Sequence, residues 1–238
     1  MNGGFEKSRL ALAAVLRKLR VAGIGAVAAL CVAGCACGCT VSVNSSTVTT
    51  SNSAASETVS QSYSFDDAVS AISIDMRAGN VSIVKGDKLT VACSFPEEYM
   101  PAVTCDSNGL SVAQDISGDI TVQLGEAWNV TITVPESCAI QTVTADLDLG
   151  NLSVTGLDFS KLEADADLGD VTVKDCAVHE VDLEVDMGNV NATGSSFDTG
   201  DIEADLGDIT LDGTFGSSLK MECDDSITVN GEKQKSDD

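Results

Sequence analysis

Acidic residues recur at a fixed interval in the second half of the chain. One series has a period of 19 residues and consists of Asp148, Asp167, Asp186 and Asp205. A second series lies two residues earlier and consists of Asp146, Asp165, Glu184 and Glu203. We interpret both series as a solvated face that keeps a β protein soluble. The alternative is that the first series is a column of cation-binding side chains, with calcium as the ion, because carboxylate oxygens are the hard ligands that Ca²⁺ prefers.

No arrangement of residues in the sequence predicts catalysis. His179 is the only histidine, and no motif places a nucleophile beside it. The repeated carboxylates share like surroundings, whereas acid–base catalysis needs two groups in unlike surroundings. We therefore predict a protein that is not an enzyme and has no catalytic residue. The alternative of a polysaccharide lyase or hydrolase requires a cleft with a distinct acid and base.

The chain has nine cysteines, four of which lie near the N-terminus. The other five are Cys93, Cys105, Cys138, Cys176 and Cys223. Because five is an odd number, at least one stays unpaired if the others form disulfides. Cys93 and Cys105 flank a loop with two prolines, and we predict a disulfide between them. The alternative is that all five are small core residues of a protein in reducing surroundings.

Glycine marks the same position in each copy of a 19-residue repeat. In the regular copies an aliphatic residue precedes it and Asn or Asp follows it, at Gly150, Gly169, Gly188 and Gly207. Two looser copies lie upstream, at Gly79 and Gly118. A second turn signal follows six residues after each regular glycine. A period near 20 residues, with two turns and alternating apolar residues between them, predicts an all-β, single-domain β-solenoid with rungs of about 19 residues.

Strict alternation assigns the two faces of each strand. The residues predicted to point inward form columns just before the glycine (Leu149, Leu168, Met187, Leu206), two residues earlier (Leu147, Ala166, Val185, Ala204) and four residues after it (Val154, Val173, Ala192, Leu211). Equivalent residues of successive rungs are then about 4.8 Å apart. The acidic series line the outside, where adjacent like charges repel by about 1 kcal/mol in water.

The N-terminus has the features of an export signal. Basic residues end at Arg20, an uncharged apolar run follows, and Val32-Ala33-Gly34-Cys35 resembles the bacterial lipobox. That resemblance implies lipidation at Cys35, which tethers the exported chain to a membrane. Two alternatives stay open, an uncleaved single-pass helix and free secretion. In each of them the basic flank keeps the N-terminus cytoplasmic and sends the rest outward.

These signals divide the chain into four parts. Residues 1–34 are a signal peptide or membrane anchor, and residues 35–64 are a tether rich in Ser and Thr and too poor in apolar residues to fold. Residues 65–231 are the solenoid, and residues 232–238 an acidic tail. The balance of 13 Lys and Arg against 37 Asp and Glu gives a net charge of −24, which excludes nucleic acid as a partner.

Residues 65–231 resemble a known family. An opening of the type Ile72-Ser73-Ile74 leads to Gly79-Asn80-Val81, a middle strand ends at Pro135, and serial glycine turns follow. This order is similar to the bacterial putative-adhesin family of β-strand repeats, a domain of unknown function. The resemblance implies a parallel β-helix-like solenoid, usually right-handed, at the bacterial cell surface. It implies no particular binding residues.

The sequence therefore predicts an extracytoplasmic, membrane-anchored protein of the bacterial cell envelope. We expect an adhesin-like or structural binding module that presents an acidic repetitive face to a surface, protein or glycan ligand, with no cofactor beyond the calcium considered above. The alternative is an envelope-stress sensor or regulatory protein that signals through an uncleaved N-terminal helix.

Overall fold

Alternating polar and β-branched residues run through most of the chain, and they form strands as the sequence predicts. The computed structural model describes residues 58–66, 68–116 and 128–234, together with the backbone of a strand at 44–47. Here the fold is an all-β solenoid of about five turns with rungs of about 19 residues, which confirms the predicted fold class. These ranges contain no α-helix, and a single 3₁₀ turn spans Glu97–Tyr99.

The first eight strands vary in length and direction. They are β1 (Asn44–Thr47), β2 (Thr58–Phe65), β3 (Ala71–Met76), β4 (Asn80–Gly86), β5 (Leu89–Pro96), β6 (Ala102–Asp106), β7 (Gly109–Ala113) and β8 (Asn129–Pro135). β5 pairs antiparallel with β2 and β8, and β6 and β7 form a hairpin. β3 and β7 pair in parallel, as do β4 and β8.

The remaining strands form the regular repeat. They are β9 (Thr142–Leu149), β10 (Leu152–Thr155), β11 (Asp158–Leu168), β12 (Val171–Lys174), β13 (Ala177–Met187), β14 (Val190–Leu206), β15 (Asp208–Cys223), β16 (Ser226–Val229) and β17 (Glu232–Lys233). The long sides of the rungs stack in parallel through β3, β9, β11, β13, β14 and β15. The short sides stack through β4, β10, β12, β14, β15 and β16.

An aliphatic core fills the solenoid, and two of the predicted inward columns form it. Their members are at most 1% exposed: Leu147, Ala166, Val185, Ala204, Val154, Val173, Ala192 and Leu211. Burial of a Val or Leu side chain contributes about 1.5–3 kcal/mol relative to exposure. Each rung is covered only by its neighbours, so the stack holds the core together and a single rung does not.

The predicted inward column just before the glycine is wrong. Leu149, Leu168, Met187 and Leu206 are stacked as expected, but their side chains lie outside, between 39% and 58% exposed. The physical reason is the corner that follows. The chain turns at the next glycine, so two consecutive side chains, such as Asp167 and Leu168, both point to solvent, and alternation ends one residue before the strand does.

Two strands lie wholly or mostly within residues 35–64, the predicted tether: β1 and the part of β2 that precedes Phe65. β2 pairs along its whole length with β5, from Thr58 opposite Pro96 to Phe65 opposite Leu89, and β1 pairs with β2. Composition predicts how much apolar surface a segment can bury, but a Ser- and Thr-rich strand is held here by backbone hydrogen bonds to an existing sheet edge. Residues 1–43, including Cys35, lie outside the described part of the chain.

Candidate binding surface

The long sides of three regular rungs present an array of carboxylates to solvent. On β11, β13 and β14 the outward side chains include ten acids, which we name the acidic face: Glu163, Asp165, Asp167, Glu180, Asp182, Glu184, Asp186, Asp201, Glu203 and Asp205. Inward neighbours on the same strands are small or medium aliphatic residues, so alternation alone places every acid outside. The result is a flat, strongly negative surface on a rigid sheet.

Asp165 lies in the middle of this array. The register places Asp165 between Asp146 on β9 and Glu184 on β13. Partial burial is the largest cause that raises the pKa of Asp165 to about 6, and the charges of Glu184, Asp146, Asp167 and Asp186 raise it further. The acidic face therefore gains a proton near pH 6, well above the ordinary range of an aspartate.

Cationic side chains border the acidic face. Arg77 Nε donates to Asp148 Oδ2 at 3.0 Å on the first rung, and Lys220 Nζ donates to Asp201 Oδ1 at 3.1 Å on the last. Lys161 Nζ lies 3.4 Å from carboxylate oxygens of its own strand and of the next. Exposed ion pairs of this kind contribute about 0–1 kcal/mol. Three cations among ten acids and their neighbours leave the face strongly negative.

The predicted cation-binding column, Asp148, Asp167, Asp186 and Asp205, runs along one border of the acidic face. Its first member is bonded to Arg77. In the described ranges, no three Asp, Glu, His or Cys side chains converge on a point where they would hold a metal ion. Successive rungs separate the carboxylates along a line, whereas Ca²⁺ needs six to eight oxygens around one centre. Calcium binding by this column stays a prediction.

Four large apolar side chains stand next to the acidic face. We name Leu149, Leu168, Met187 and Leu206 the apolar ladder; they are 39%, 41%, 47% and 58% exposed. Each is in register with the next, Leu168 opposite both Leu149 and Met187, and Met187 opposite Leu206. The sequence contains a signal for this exposure, because each of the four residues is followed by a glycine that lies at a rung corner.

That glycine makes the corner possible. Gly150, Gly169, Gly188 and Gly207 have φ between 143° and 158°, and a Cβ on each would overlap the carbonyl oxygen of the glycine one rung earlier. Backbone therefore contacts backbone at this corner, and no interior space remains for the preceding side chain. Of the predicted repeat-turn glycines, Gly79 has the same conformation, with φ of 125°, and Gly118 lies outside the described residues.

The residue after each glycine forms a hydrogen-bonded ladder on the far side of the corner. Asn151 Oδ1 accepts from the Asp170 backbone N–H at 2.7 Å, and Asp170 Oδ1 accepts from the Asn189 N–H at 2.8 Å. Asn189 Oδ1 in turn accepts from the Asp208 N–H at 2.9 Å. Alternation of Asn with Asp keeps charges from lying on adjacent rungs, which the acidic face does not do. The sequence predicted the turn but not this ladder.

His179, which was considered for catalysis, and the buried Ser195 both make polar contacts outside the carboxylate array. His179 is exposed at another corner, where its Nδ1 lies 2.8 Å from Asp198 Oδ2. Ser195 is buried, and its hydroxyl accepts from the Cys176 backbone N–H at 3.2 Å while it donates to backbone carbonyls. The His179 contact with Asp198 and the Ser195 contacts with Cys176 and Val173 join neighbouring rungs, whereas Ser195 also donates to Thr193 within its own rung.

The structure does not contain the predicted disulfide between Cys93 and Cys105, because Cys93 carries a free thiol. Cys93 lies on β5 with its side chain in the core, where burial raises the pKa of the thiol to about 12. Cys105 lies on β6, opposite Leu110 in the β6–β7 hairpin. The two cysteines thus belong to different antiparallel pairs. Cys138 and Cys176 are buried, as the alternative of small core residues predicts.

No helix with the length and apolar character needed to cross a bilayer occurs among the residues that the structure describes.

An all-β solenoid with in-register corner glycines and repeated outward acids defines a β-repeat protein. Residues 69–236 match the Toastrack DUF4097 family, and the chain belongs to that family, as its resemblance to a β-strand-repeat domain of unknown function predicted. A comparison with curated proteins gave no match.

Solved structures with some likeness to the chain come from bacteria. A putative adhesin from Bacteroides fragilis has 17% identity and a TM-score of 0.42, with 74% of this chain and 97% of that chain covered. A putative cell adhesion protein from Clostridium sporogenes has 13% identity, a TM-score of 0.36 and coverage of 80% and 95%. A putative lipid binding protein from Parabacteroides distasonis has 10% identity, a TM-score of 0.27 and coverage of 71% and 96%. All three TM-scores are below 0.5.

Proposed function

We propose that this protein is a membrane-anchored, non-enzymatic binding module of the bacterial cell surface. The observation that carries the proposal is the acidic face, ten carboxylates on three stacked strands with the apolar ladder along one border. A rigid sheet that holds like charges in register loses stability by doing so. Such an arrangement is expected where the charge itself is used, and contact with an extended ligand uses it along several rungs at once.

The anchor is the second part of the proposal. The lipobox-like sequence that ends at Cys35 supports a lipid on that cysteine, which would hold the solenoid at the outer side of a membrane. Labelling with radioactive palmitate in a bacterial host tests this. The native chain and the matched control Cys37→Ala should take up label and lose residues 1–34 in a globomycin-sensitive manner, whereas Cys35→Ala should take up no label. Label on Cys35→Ala would contradict lipidation at Cys35, and an unlabelled native chain that retains residues 1–34 would favour the signalling alternative.

Binding through the acidic face is tested with the full-length protein in nanodiscs of zwitterionic lipid, applied to protein and glycan arrays. The variant Asp165→Asn/Glu184→Gln/Glu203→Gln removes three charges from adjacent rungs. A matched control, Asp158→Asn/Asp175→Asn/Asp212→Asn, removes three charges elsewhere. We expect the first variant to lose ligands that the control retains. Equal binding by both variants would contradict a role for the acidic face.

A further inference from the structure

Four large apolar side chains exposed in one straight line are unusual for a soluble surface. The apolar ladder is continuous over four rungs, and exposure increases from Leu149 at 39% to Leu206 at 58%. Single exposed apolar residues are common on proteins, but contiguous apolar patches mark contact sites. The column on one side is aspartate, and the columns on the other side are the corner glycines and then Asn or Asp, so the ladder is a narrow apolar stripe.

The two borders of the stripe differ in charge. On one side lies the acidic face, with Asp167, Asp186 and Asp205 immediately next to the ladder in the chain. On the other side, beyond the corner glycines, lies the hydrogen-bonded ladder of alternating Asn and Asp. A ligand that covers the stripe therefore meets a dense negative charge on one flank and a mixed polar column on the other.

This charge selects among the possible occupants. A second copy of the chain would bring its own acidic surface against the first, at a net charge of −24 each. An anionic lipid surface has the same sign of charge and is repelled likewise. A basic polypeptide is attracted, and its lysines or arginines would release counterions and neutralise neighbouring carboxylates.

The spacing of the stripe also fits one secondary structure. Four rungs at about 4.8 Å span about 14 Å. An α-helix advances about 5.4 Å per turn, so three turns of an amphipathic helix match the stripe, with one apolar residue per rung. Side chains on one flank of that apolar seam would then lie over the acidic face.

We propose that the apolar ladder together with the acidic face is the docking site for a basic amphipathic helix of another polypeptide, with apolar residues along one seam and Lys or Arg on one flank of it. This inference rests on the proposed binding function and names its ligand class. The helix lies along the solenoid axis, and its seam covers Leu168 and Met187 while its basic flank neutralises the carboxylates beside them.

A model peptide tests the proposal without knowledge of the natural partner. The probe is a fluorescein-labelled 16-residue peptide of Leu, Lys and Gln with one leucine seam and one lysine flank, measured by fluorescence anisotropy. The full-length protein is held in nanodiscs of phosphatidylcholine, and empty nanodiscs give the background. The control peptide has the same composition in scrambled order. We expect the seam peptide to bind at least tenfold more tightly than the scrambled one at physiological salt.

Variants separate the two parts of the site. Leu168→Ser/Met187→Ser alters only exposed side chains, and Asp167→Asn/Asp186→Asn removes two charges; each should weaken binding at least tenfold. Asp175→Asn/Asp212→Asn changes the same charge at a distant corner and should leave binding within twofold. Thermal melting of each variant verifies that it is folded.

Three outcomes would overturn the inference. They are equal binding of seam and scrambled peptides, unchanged binding by Leu168→Ser/Met187→Ser, and preference for phosphatidylglycerol vesicles over the peptide. None of them concerns the anchor at Cys35 or the ligands found on arrays, so a failure here is distinct from a failure of the proposed function.

Discussion

The two halves of the described chain are both built from β-strands, but the strands pair in different ways. In the first half, strands β2, β5 and β8 pair antiparallel. Beside them the Trp128 ring stacks on Tyr99, with ring centroids 5.0 Å apart, and contacts the tilted ring of Phe95, with centroids 6.0 Å apart. In the second half, parallel strands repeat one rung in register. Repetition copies each surface residue into a ladder, so the acidic face and the apolar ladder belong to the second half.

The border between the halves is visible residue by residue. Asp75 and Met76 pair with Asp146 and Leu147, so β3 is the counterpart of β9. In the same register, Arg77 occupies the position that corresponds to Asp148, and the buried Ala78 occupies the position that corresponds to Leu149. Because Arg77 is cationic and Ala78 is buried, the aspartate column and the apolar ladder both begin on β9 and do not extend to β3.

The largest effect is expected at the corner glycines of the regular half. Gly188→Ala would place a methyl group against the Gly169 carbonyl and requires a strained φ of 154°. We expect a loss of at least about 3 kcal/mol in the free energy of unfolding, measured by denaturant titration. Gly156→Ala is the control. The φ of Gly156 is 73°, but a Cβ there would lie 3.6 Å from the nearest atom, Lys85 Cβ, so we expect a loss of only about 1–2 kcal/mol. Equal losses would contradict backbone contact at the corner.

A smaller effect is expected where the Asn and Asp alternation is broken. Asn189→Asp adds a carboxylate between Asp170 and Asp208 and removes the Nδ2 donor that lies 3.0 Å from Asp170 Oδ1. We expect about 1–2 kcal/mol of destabilisation at pH 7. Because like charges raise the folded-state pKa of the new carboxylate, the loss should disappear as the pH falls below about 3.9, the ordinary pKa of an aspartate.

The matched control for that substitution lies two residues further along the chain, on β14. Asn191→Asp places the new carboxylate between Thr172 and Thr210, which are uncharged. Its destabilisation at pH 7 should be under about 0.5 kcal/mol. Similar pH profiles for the two variants would show that charge repulsion along the corner is not the cause.

Asp165→Asn should give a modest stabilisation that depends on pH. Because its pKa is raised to about 6 in the folded state, ionisation of Asp165 lowers stability as the pH rises from about 4 to about 6. The substitution should therefore raise the melting temperature at pH 7.5 and have no effect at pH 4. Solvent screening limits the gain to about 1 kcal/mol. An equal shift at both pH values would exclude the carboxylate array as its origin.

Calcium is expected to have the smallest effect. If the first aspartate series is a solvated column, millimolar Ca²⁺ and Mg²⁺ only screen the acidic face, and both should raise the melting temperature by under about 2 °C. If the column binds calcium, Ca²⁺ alone should raise it by several degrees, and Asp167→Asn/Asp186→Asn should abolish the difference. Differential scanning fluorimetry distinguishes the two.

Much of the fold follows from the sequence because a repeat constrains every rung together. The spacing of the glycines predicted the rung length, and alternation placed Ala166 and Val185 inside and Asp165 outside. The same rule misplaced Leu168, because alternation contains no information on where a strand stops and a corner begins. Strand β2 was missed because its partner β5 is distant in the chain, and nothing in Thr58–Phe65 itself specifies that edge.

The exposure of the ladder is the feature on which the binding account depends most, and the native methionines report on it. Met187 is 47% exposed and Met76 is 1% exposed. Mild hydrogen peroxide oxidises accessible methionine to the sulfoxide, which peptide mass spectrometry resolves. We predict that Met187 is oxidised at least tenfold faster than Met76 in the folded protein, and at the same rate in denaturant. Equal protection of both residues in the folded protein would show that the apolar ladder is buried in the core and would contradict the proposed binding surface.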